Sequence, residues 1–185
     1  MLKPEWPLET ERLTLRPFRA EDMEDLFGIQ SRPEVARFLY WDARDREQVR
    51  ESLYRKSREV ALEEQGQALT FAVVWREADV VVGDVHLEWL SRGHRQGEIG
   101  FVFHPDYQGK GLAREAAEMM LHLGFAELAL HRIIGRLDPR NLPSARLLER
   151  LGMRREAHFV DNQIFKGEWG GELVYALLDD EWRAR

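Results

Sequence analysis

A glycine-containing loop, QGKGLA at positions 108–113, is the segment with the clearest chemical meaning. Gly109 and Gly111 can adopt positive φ angles and bring backbone N–H groups close to a ligand, and Lys110 adds a positive charge. The loop leads into an amphipathic segment, and the first turn of a helix offers unpaired N–H donors and a partial positive charge. The spacing therefore favours an anionic ligand, such as a diphosphate, at this loop.

Two other phosphate-binding loops do not fit this segment. A Walker loop requires Ser or Thr after its lysine, and Lys110 is followed by Gly111. The dinucleotide fingerprint requires glycine or alanine three residues after its second glycine, where Arg114 stands. The structural alternative is a helix start that simply prefers glycine. The pattern Gln-x-x-Gly-x-Ala between a strong strand and a strong helix favours ligand binding instead.

The elements that must position this loop can be predicted from hydrophobic periodicity. Alternation and β-rich composition predict strands near 13–16, 69–75, 80–90, 98–103, 132–137, 154–169 and 172–177. Helical spacing of apolar residues predicts helices near 21–27, 44–64 and 113–128, and another that ends at Leu151 with Gly152 as its stop. This order implies a single α/β domain over residues 1–185, with a mostly antiparallel sheet and a parallel crossover in its second half.

Composition excludes several classes of function. The chain has 185 residues, no cysteine and a net charge of −6. Catalysis must therefore use oxygen, nitrogen or backbone groups rather than a thiolate, and no cysteine-ligated metal site can form. The acidic balance disfavours nucleic-acid binding and weakly favours a cationic partner such as an amine. The N-terminus carries prolines and charges where a signal peptide would be apolar, and no uncharged stretch could span a bilayer, so we expect a cytoplasmic protein without a membrane partner.

The sequence resembles the GNAT superfamily of acyl-CoA-dependent N-acyltransferases. Within it, the sequence is most like the branch of the ribosomal-protein N-terminal (alanine or serine) acetyltransferases. The family pattern Arg/Gln-x-x-Gly-x-Gly/Ala is met by Gln108, Gly111 and Ala113. Three further blocks resemble the family and occur in its order, one before the loop and two after it: LETERLTLRPFRAEDMEDLF, NLPSARLLERLGM and GEWGGELVYALLDDEW. The resemblance implies a splayed sheet of about seven strands flanked by about four helices.

The resemblance also implies a cofactor site. Acetyl-CoA would lie in the V between the strand that begins at Glu98 and the strand that begins at Arg132, without a metal. The amide of Phe101 would face the acetyl oxygen, and Phe103 would pair with the pantetheine arm. The residues that would bind the cofactor are Phe101, Phe103, Gln108, Gly109, Lys110, Gly111, Leu112, Ala113 and Asn141.

The chemistry of acetyl transfer can be argued separately. It requires a neutral amine, stabilisation of an oxyanion and a proton for the departing thiolate. A chain without cysteine and without a GxSxG elbow is consistent with direct transfer. Because an ammonium group is mostly protonated at neutral pH, a carboxylate is the natural base. Glu98 is the candidate, at the position where many relatives carry their base; an exposed carboxylate at a strand start is the alternative.

Two residues near the start of the last long helix are further candidates. Asn141 is a good helix N-cap, and by resemblance it would also bond the pantetheine arm. Ser144 aligns with a serine near the sulfur and could protonate the thiolate, although a first-turn serine also has a structural explanation. Some relatives carry a tyrosine four residues further on, where this chain has Leu148.

The residues that would face the acceptor include a histidine and several aromatic side chains. His86 could face it from a strand, but a lone strand histidine is usually structural, and the six histidines show no zinc-binding spacing. By resemblance, Tyr40, Trp41 and Trp169 would wall the acceptor pocket. Relatives acetylate ribosomal-protein N-termini, aminoglycosides, polyamines and amino acids, so the acceptor is predicted only as a primary amine. A non-catalytic acyl-CoA-binding regulatory module is the alternative function, and a homodimer is compatible with the resemblance.

Overall fold

One sheet of eight strands crosses the computed structural model, which describes every residue from 1 to 185. In chain order the strands are β1 (Leu8–Glu9), β2 (Leu13–Arg16), β3 (Ala68–Trp75), β4 (Val80–Ser91), β5 (Gln96–Phe103), β6 (Arg132–Leu137), β7 (Arg154–Phe165) and β8 (Glu168–Leu178). The helices are α1 (Met23–Gln30), α2 (Pro33–Ala36), α3 (Arg46–Lys56), α4 (Leu112–His122), α5 (Leu142–Arg150) and α6 (Asp179–Arg183). The expected mixed α/β fold is confirmed, with one strand and two helices more than the sequence predicted.

The sheet opens in its middle. Its order is β1-β2-β3-β4-β5-β6-β8-β7, and only β5 and β6 run parallel, joined by the crossover through α4. Their pairing covers three positions and ends at Glu98–Ile134, whereas β5 continues to Phe103 and β6 to Leu137. Beyond that pair the strands diverge, so the backbone groups that face the opening have no sheet partner.

Helices cover both faces of the sheet. On what we call the α4–α5 face, Val85 and Leu87 of β4 join the main apolar core together with Met120 of α4 and Leu148 of α5. The opposite α1–α3 face is covered by α1 and α3, which pack on β3 and β4 around a smaller apolar cluster. Because side chains alternate along a strand, even-numbered residues near the middle of β4 face α1 and α3. No helix combines the length and the apolar character needed to cross a membrane.

The third helix is shorter than predicted. Its apolar spacing suggested a helix over 44–64, but α3 ends at Lys56. The chain then runs along the sheet: Glu59 O accepts a hydrogen bond from Thr70 N at 2.8 Å, and Leu62 forms an isolated antiparallel bridge with Leu2. Pairing with distant strands has overridden the local helical pattern, which a window of sequence cannot show.

The closing hairpin also turns at a different place. Gly170 and Gly171 were expected to separate the last two strands, but the turn is made by Lys166 and Gly167, with φ values of 51° and 84°. Two consecutive left-handed residues give a two-residue hairpin turn whose twist matches the strands. Gly170 instead lies within β8, paired with Gln163 of β7. The predicted boundary between the two strands, at 169–172, was therefore wrong.

Candidate functional site

The loop at 108–113 joins β5 to α4, as the sequence predicted. Gly109 and Gly111 both adopt left-handed backbone conformations, with φ values of 77° and 81°, where a side chain would be strained. Gln108 Nε2 donates a hydrogen bond to Phe103 O at 3.1 Å, which ties the loop to the end of β5. Gly111 is the N-cap of α4 and has no side chain to bond the first-turn amides. Those N–H groups are therefore free to bind an anion.

A groove with a volume of about 450 Å³ lies between this loop, the end of β5, the α2 region and α5. Small-molecule sites usually have volumes of roughly 300–1,000 Å³. The groove brings together most of the residues predicted to bind the cofactor or to act in catalysis. Those in its lining are Phe101, Phe103, Gln108, Gly109, Gly111, Leu112, Ala113, Asn141 and Ser144.

Lys110 is outside the groove lining. Its Nζ lies 4.7 Å from the centroid of the Trp75 ring and 5.4 Å from that of Tyr107. Its backbone oxygen accepts a hydrogen bond from Arg12 Nη1 at 2.8 Å. The lysine side chain is thus held over two aromatic rings, and the loop's attraction for an anion must come mainly from backbone N–H groups.

Arginines in the groove were missed by the sequence analysis. Arg114 lines it from α4 and forms an ion pair with Glu118 at 2.9 Å. Arg146 and Arg150 line it from α5 and form no ion pair. Their spacing of four residues places both on one helix face, a signal that was present in the sequence. In a chain of net charge −6, these side chains give the groove a local attraction for a polyanion.

The start of α5 has the predicted cap. Asn141 Oδ1 accepts a hydrogen bond from Ser144 N at 3.3 Å. The Ser144 hydroxyl makes no hydrogen bond within the protein and lies in the groove lining, so it is free to contact a ligand. Leu148, where some relatives carry tyrosine, is buried in the main core. No group of three or more His, Asp or Glu side chains is arranged to hold a metal ion.

Glu98 does not line the groove. Its Oε2 accepts hydrogen bonds from Nη2 and Nε of Arg136 at 2.6 and 2.9 Å. Glu88 lies directly opposite on β4. Burial and, to a lesser extent, the charge of Glu98 raise the pKa of Glu88, while Arg136 opposes the shift. The base candidate is therefore part of a charged cluster at the apex of the opening.

The segments predicted to wall the acceptor pocket do meet. Tyr40, after α2, accepts a hydrogen bond at its hydroxyl from Gln163 Nε2 of β7 at 2.9 Å. Lys166 Nζ at the hairpin turn donates to Trp41 O, also at 2.9 Å. Tyr40 and Trp169 are largely exposed. Two surface segments far apart in sequence are thus joined beside the opening of the sheet.

The acetyltransferase (GNAT) domain family matches residues 12–154. This chain belongs to the GNAT acetyltransferase family. The uncharacterized N-acetyltransferase YnaD of Bacillus subtilis is 35% identical over 95% of this chain and 98% of its own length. The [ribosomal protein uS5]-alanine N-acetyltransferase of Escherichia coli is 28% identical over 64% of this chain and 61% of its own. The crystal structure of an acetyltransferase (GNAT family) from Bacillus anthracis superposes with a TM-score of 0.84 at 32% identity, covering 95% of this chain and 99% of that one.

The family assignment makes this GNAT protein an N-acetyltransferase. The resemblance inferred from the loop and the three flanking blocks is confirmed, including the relation to ribosomal-protein acetyltransferases.

Proposed function

We propose that this GNAT protein transfers an acetyl group from acetyl-CoA to a primary amine, and that residues 1–185 form a single N-acetyltransferase domain. The observation that carries the proposal is the uncapped N-terminus of α4 beside the groove. Gly111 leaves the first-turn amides without a side-chain partner, and both loop glycines adopt the left-handed backbone conformation that exposes them. A pyrophosphate is the anion that matches several converging N–H donors.

The groove explains how the rest of the cofactor would be held. Arg146 and Arg150 stand free on α5 to bind a further phosphate of the nucleotide end. At the other end, Phe101 and Phe103 lie on the part of β5 beyond its pairing with β6. The pantetheine arm would complete the broken sheet there by bonding the unpaired backbone groups, and the thioester would reach the apex of the opening.

These positions support direct transfer of the acetyl group from the thioester to the amine. The amide of Phe101 would donate a hydrogen bond to the developing oxyanion. The Ser144 hydroxyl, which has no protein partner, would pass a proton to the thiolate. Glu98, which the sequence suggested as the base, is paired with Arg136 and would contribute negative charge near the acceptor.

The acceptor proposed here is a small cationic amine or a protein N-terminus. Glu88, Glu98 and Glu172 lie on neighbouring strands around Arg136, and Glu172 Oε1 is buried without a hydrogen-bond partner. This excess of carboxylates over the single arginine favours an ammonium group. A polyamine and a peptide that begins with alanine are therefore the first two acceptors to compare.

Calorimetric titration with acetyl-CoA tests the donor site. We expect the wild-type protein to bind, and Gly111→Val to lose most of the affinity because valine cannot adopt the φ of 81° without strain. Gly93→Val is the matched control, since an added Cβ at position 93 meets no atom within 4 Å. Undetectable binding by the wild type, or unchanged binding by Gly111→Val, would overturn the proposed site.

Release of CoA thiol tests the reaction. The chain has no cysteine, so a thiol-reactive dye reports only the product. Release that depends on spermidine or on the alanine-initiated peptide is expected. Tight acetyl-CoA binding without acceptor-dependent release from any amine in a broad panel would instead favour a non-catalytic acyl-CoA-binding module.

A further inference from the structure

His86 lies across the sheet from Gly100, close to the opening between β5 and β6. The two residues are paired in the β4–β5 register. A Cβ atom at position 100 would lie 2.5 Å from His86 Nε2 and 3.1 Å from Nδ1, well inside van der Waals contact. The imidazole therefore extends from β4 over the backbone of β5, in space that only a glycine at position 100 leaves open.

This position is at the edge of the opening. Glu98 is the last residue of β5 that pairs with β6, so Gly100 stands two residues beyond the point where these two strands part. Phe101, whose amide is proposed to bind the acetyl oxygen, is the next residue. His86 lies on the α1–α3 face, whereas the α4 loop and α5, which would hold the cofactor, lie on the other. An acceptor that approached the thioester from the α1–α3 face would pass the imidazole.

The ring nitrogens of His86 have no hydrogen-bond partner within the protein, and the residue as a whole is partly rather than fully buried. An amine that reached the ring would therefore find an unoccupied nitrogen. Burial and then the charge of Lys56 lower the pKa of His86, Arg55 acts in the same direction, and Asp84 and Glu59 oppose them. A lowered pKa favours the neutral form of the ring, which is the form that can accept a proton.

We propose that His86 is the general base of the reaction, taking a proton from the acceptor ammonium. The inference rests on the acetyl transfer proposed above. Glu98 is less suited to this step, because two guanidinium N–H groups of Arg136 already occupy its Oε2. In this arrangement Glu98 attracts the ammonium group and His86 deprotonates it.

A ring nitrogen of His86 takes one proton from the ammonium, which leaves a neutral amine and an imidazolium. The amine lone pair forms a bond to the thioester carbonyl carbon, and collapse of the tetrahedral intermediate breaks the carbon–sulfur bond. A second proton leaves the former amine nitrogen and goes to the departing thiolate. The imidazolium then returns its own proton to solvent. Ammonium and acetyl-CoA thus give the acetamide, CoA thiol and one free proton.

Kinetics of His86→Gln with two amines of different basicity test the role. Glutamine is polar and of similar size but cannot accept the proton. For spermidine at pH 7, kcat/KM should fall about 100-fold, the size of a typical base contribution. For 2,2,2-trifluoroethylamine, which is largely unprotonated at that pH, the loss should be only a few-fold. The loss with spermidine should shrink as rising pH deprotonates the amine in solution.

Controls separate this role from a structural one. His94→Gln changes an exposed histidine in the β4–β5 turn and should leave both rates unchanged. Acetyl-CoA should bind His86→Gln as tightly as it binds the wild type. His86→Ala should regain activity with spermidine when free imidazole fills the space above Gly100. Equal losses for both amines at every pH, or no rescue of His86→Ala, would overturn the assignment.

A crystal structure with acetyl-CoA decides the matter even if no tested amine is turned over. The ring of His86 should lie within about 7 Å of the thioester carbon, the span of one intervening water. A greater distance, or a ring on the cofactor side of β5, would overturn the assignment. Absent turnover with acetyl-CoA bound would count against the proposed reaction instead, so the two failures can be told apart.

Discussion

Glu98 Oε2 accepts hydrogen bonds from both Nη2 and Nε of Arg136, which joins β5 to β6 at the point where their pairing ends. Two donors of the planar guanidinium meet one carboxylate oxygen, so this contact bridges the two strands at the apex of the opening. Glu88 lies directly opposite Glu98. Arg136 is therefore the counter-charge for two neighbouring carboxylates.

Replacement of Arg136 by methionine is expected to destabilise the fold by about 1 kcal/mol at pH 7, because the side chain is half exposed and solvent screens part of the interaction. Glu98→Gln should cost less, since its amide oxygen can still accept a hydrogen bond from Arg136. Urea unfolding measures both. The double variant Glu88→Gln/Arg136→Met, which removes one of the two carboxylates, should recover part of the loss; no recovery would contradict the role of Arg136 as their shared counter-charge.

The free arginines of α5 should contribute to cofactor affinity without affecting the chemical step. Arg146→Gln and Arg150→Gln are each expected to weaken acetyl-CoA binding about 3- to 10-fold, with little change in kcat. The weakening should diminish at high salt. Arg50→Gln is the control, because Arg50 is exposed on α3 and forms no ion pair. Calorimetry at low and high ionic strength measures the effect, and unchanged affinity in both variants would exclude a phosphate contact.

Local sequence patterns were sufficient to predict most of the fold. The apolar periodicity of α4 and the β-rich composition of β3 and β4 are properties of short windows, so their positions could be predicted directly. The loop at 108–113 could be predicted for the same reason, since its glycines and the helix start after them are adjacent in the chain. Its left-handed φ values agree with the predicted role of the glycines.

Features that depend on tertiary contacts could not be predicted. The Glu98–Arg136 ion pair joins residues on two strands that become neighbours only through the α4 crossover. The placement of His86 over Gly100 depends on the register of the β4–β5 hairpin, which the sequence left open. Lys110 was expected to attract the cofactor, but its side chain packs on Trp75, a residue of β3 whose proximity no local pattern indicates.

Glu115 should give the fold a dependence on acid. It accepts hydrogen bonds from Thr10 Oγ1, from Arg12 N at 2.7 Å and from Arg12 Nε at 2.8 Å, which ties α4 to the segment before β2. Burial alone would raise the pKa of Glu115, but these hydrogen bonds and the charge of Arg12 outweigh it and lower the pKa below 4.5. The pKa of Glu115 is thus lower in the folded protein than in the unfolded chain. The stabilisation that ionised Glu115 contributes is therefore complete above pH 4.5 and is lost as the pH falls through the folded-state pKa.

Glu115→Gln is therefore expected to lower the free energy of unfolding by about 1–2 kcal/mol at pH 7, and by much less near pH 3. Urea unfolding at the two pH values measures the difference. Glu118→Gln, on the same helix, removes an exposed ion pair with Arg114 and should change stability by less than about 0.5 kcal/mol. A constant effect of Glu115→Gln at both pH values would show that its contribution is not electrostatic.

Lys56 and Asp84 form a buried ion pair beside His86. Lys56 Nζ donates to Asp84 Oδ1 at 2.8 Å, and the two side chains are only 10% and 2% exposed. Lys56→Met would leave the aspartate buried without its partner, which should cost about 3–5 kcal/mol. The double variant Lys56→Met/Asp84→Leu replaces the pair with apolar side chains and should be much closer to the wild type. Urea unfolding of the single and double variants tests this.

The same substitution should change the pH dependence of catalysis. Lys56 lowers the pKa of His86 and Asp84 raises it, so Lys56→Met raises the pKa of His86 twice over, by removing the cation and by leaving the anion without a counter-charge. If His86 is the base, activity requires its neutral form, and the acid limb of kcat/KM for spermidine should move to higher pH. The double variant, which lacks both charges, should show a smaller shift. An acid limb at the wild-type position in a folded Lys56→Met protein would mean that the titrating group lies elsewhere in the site.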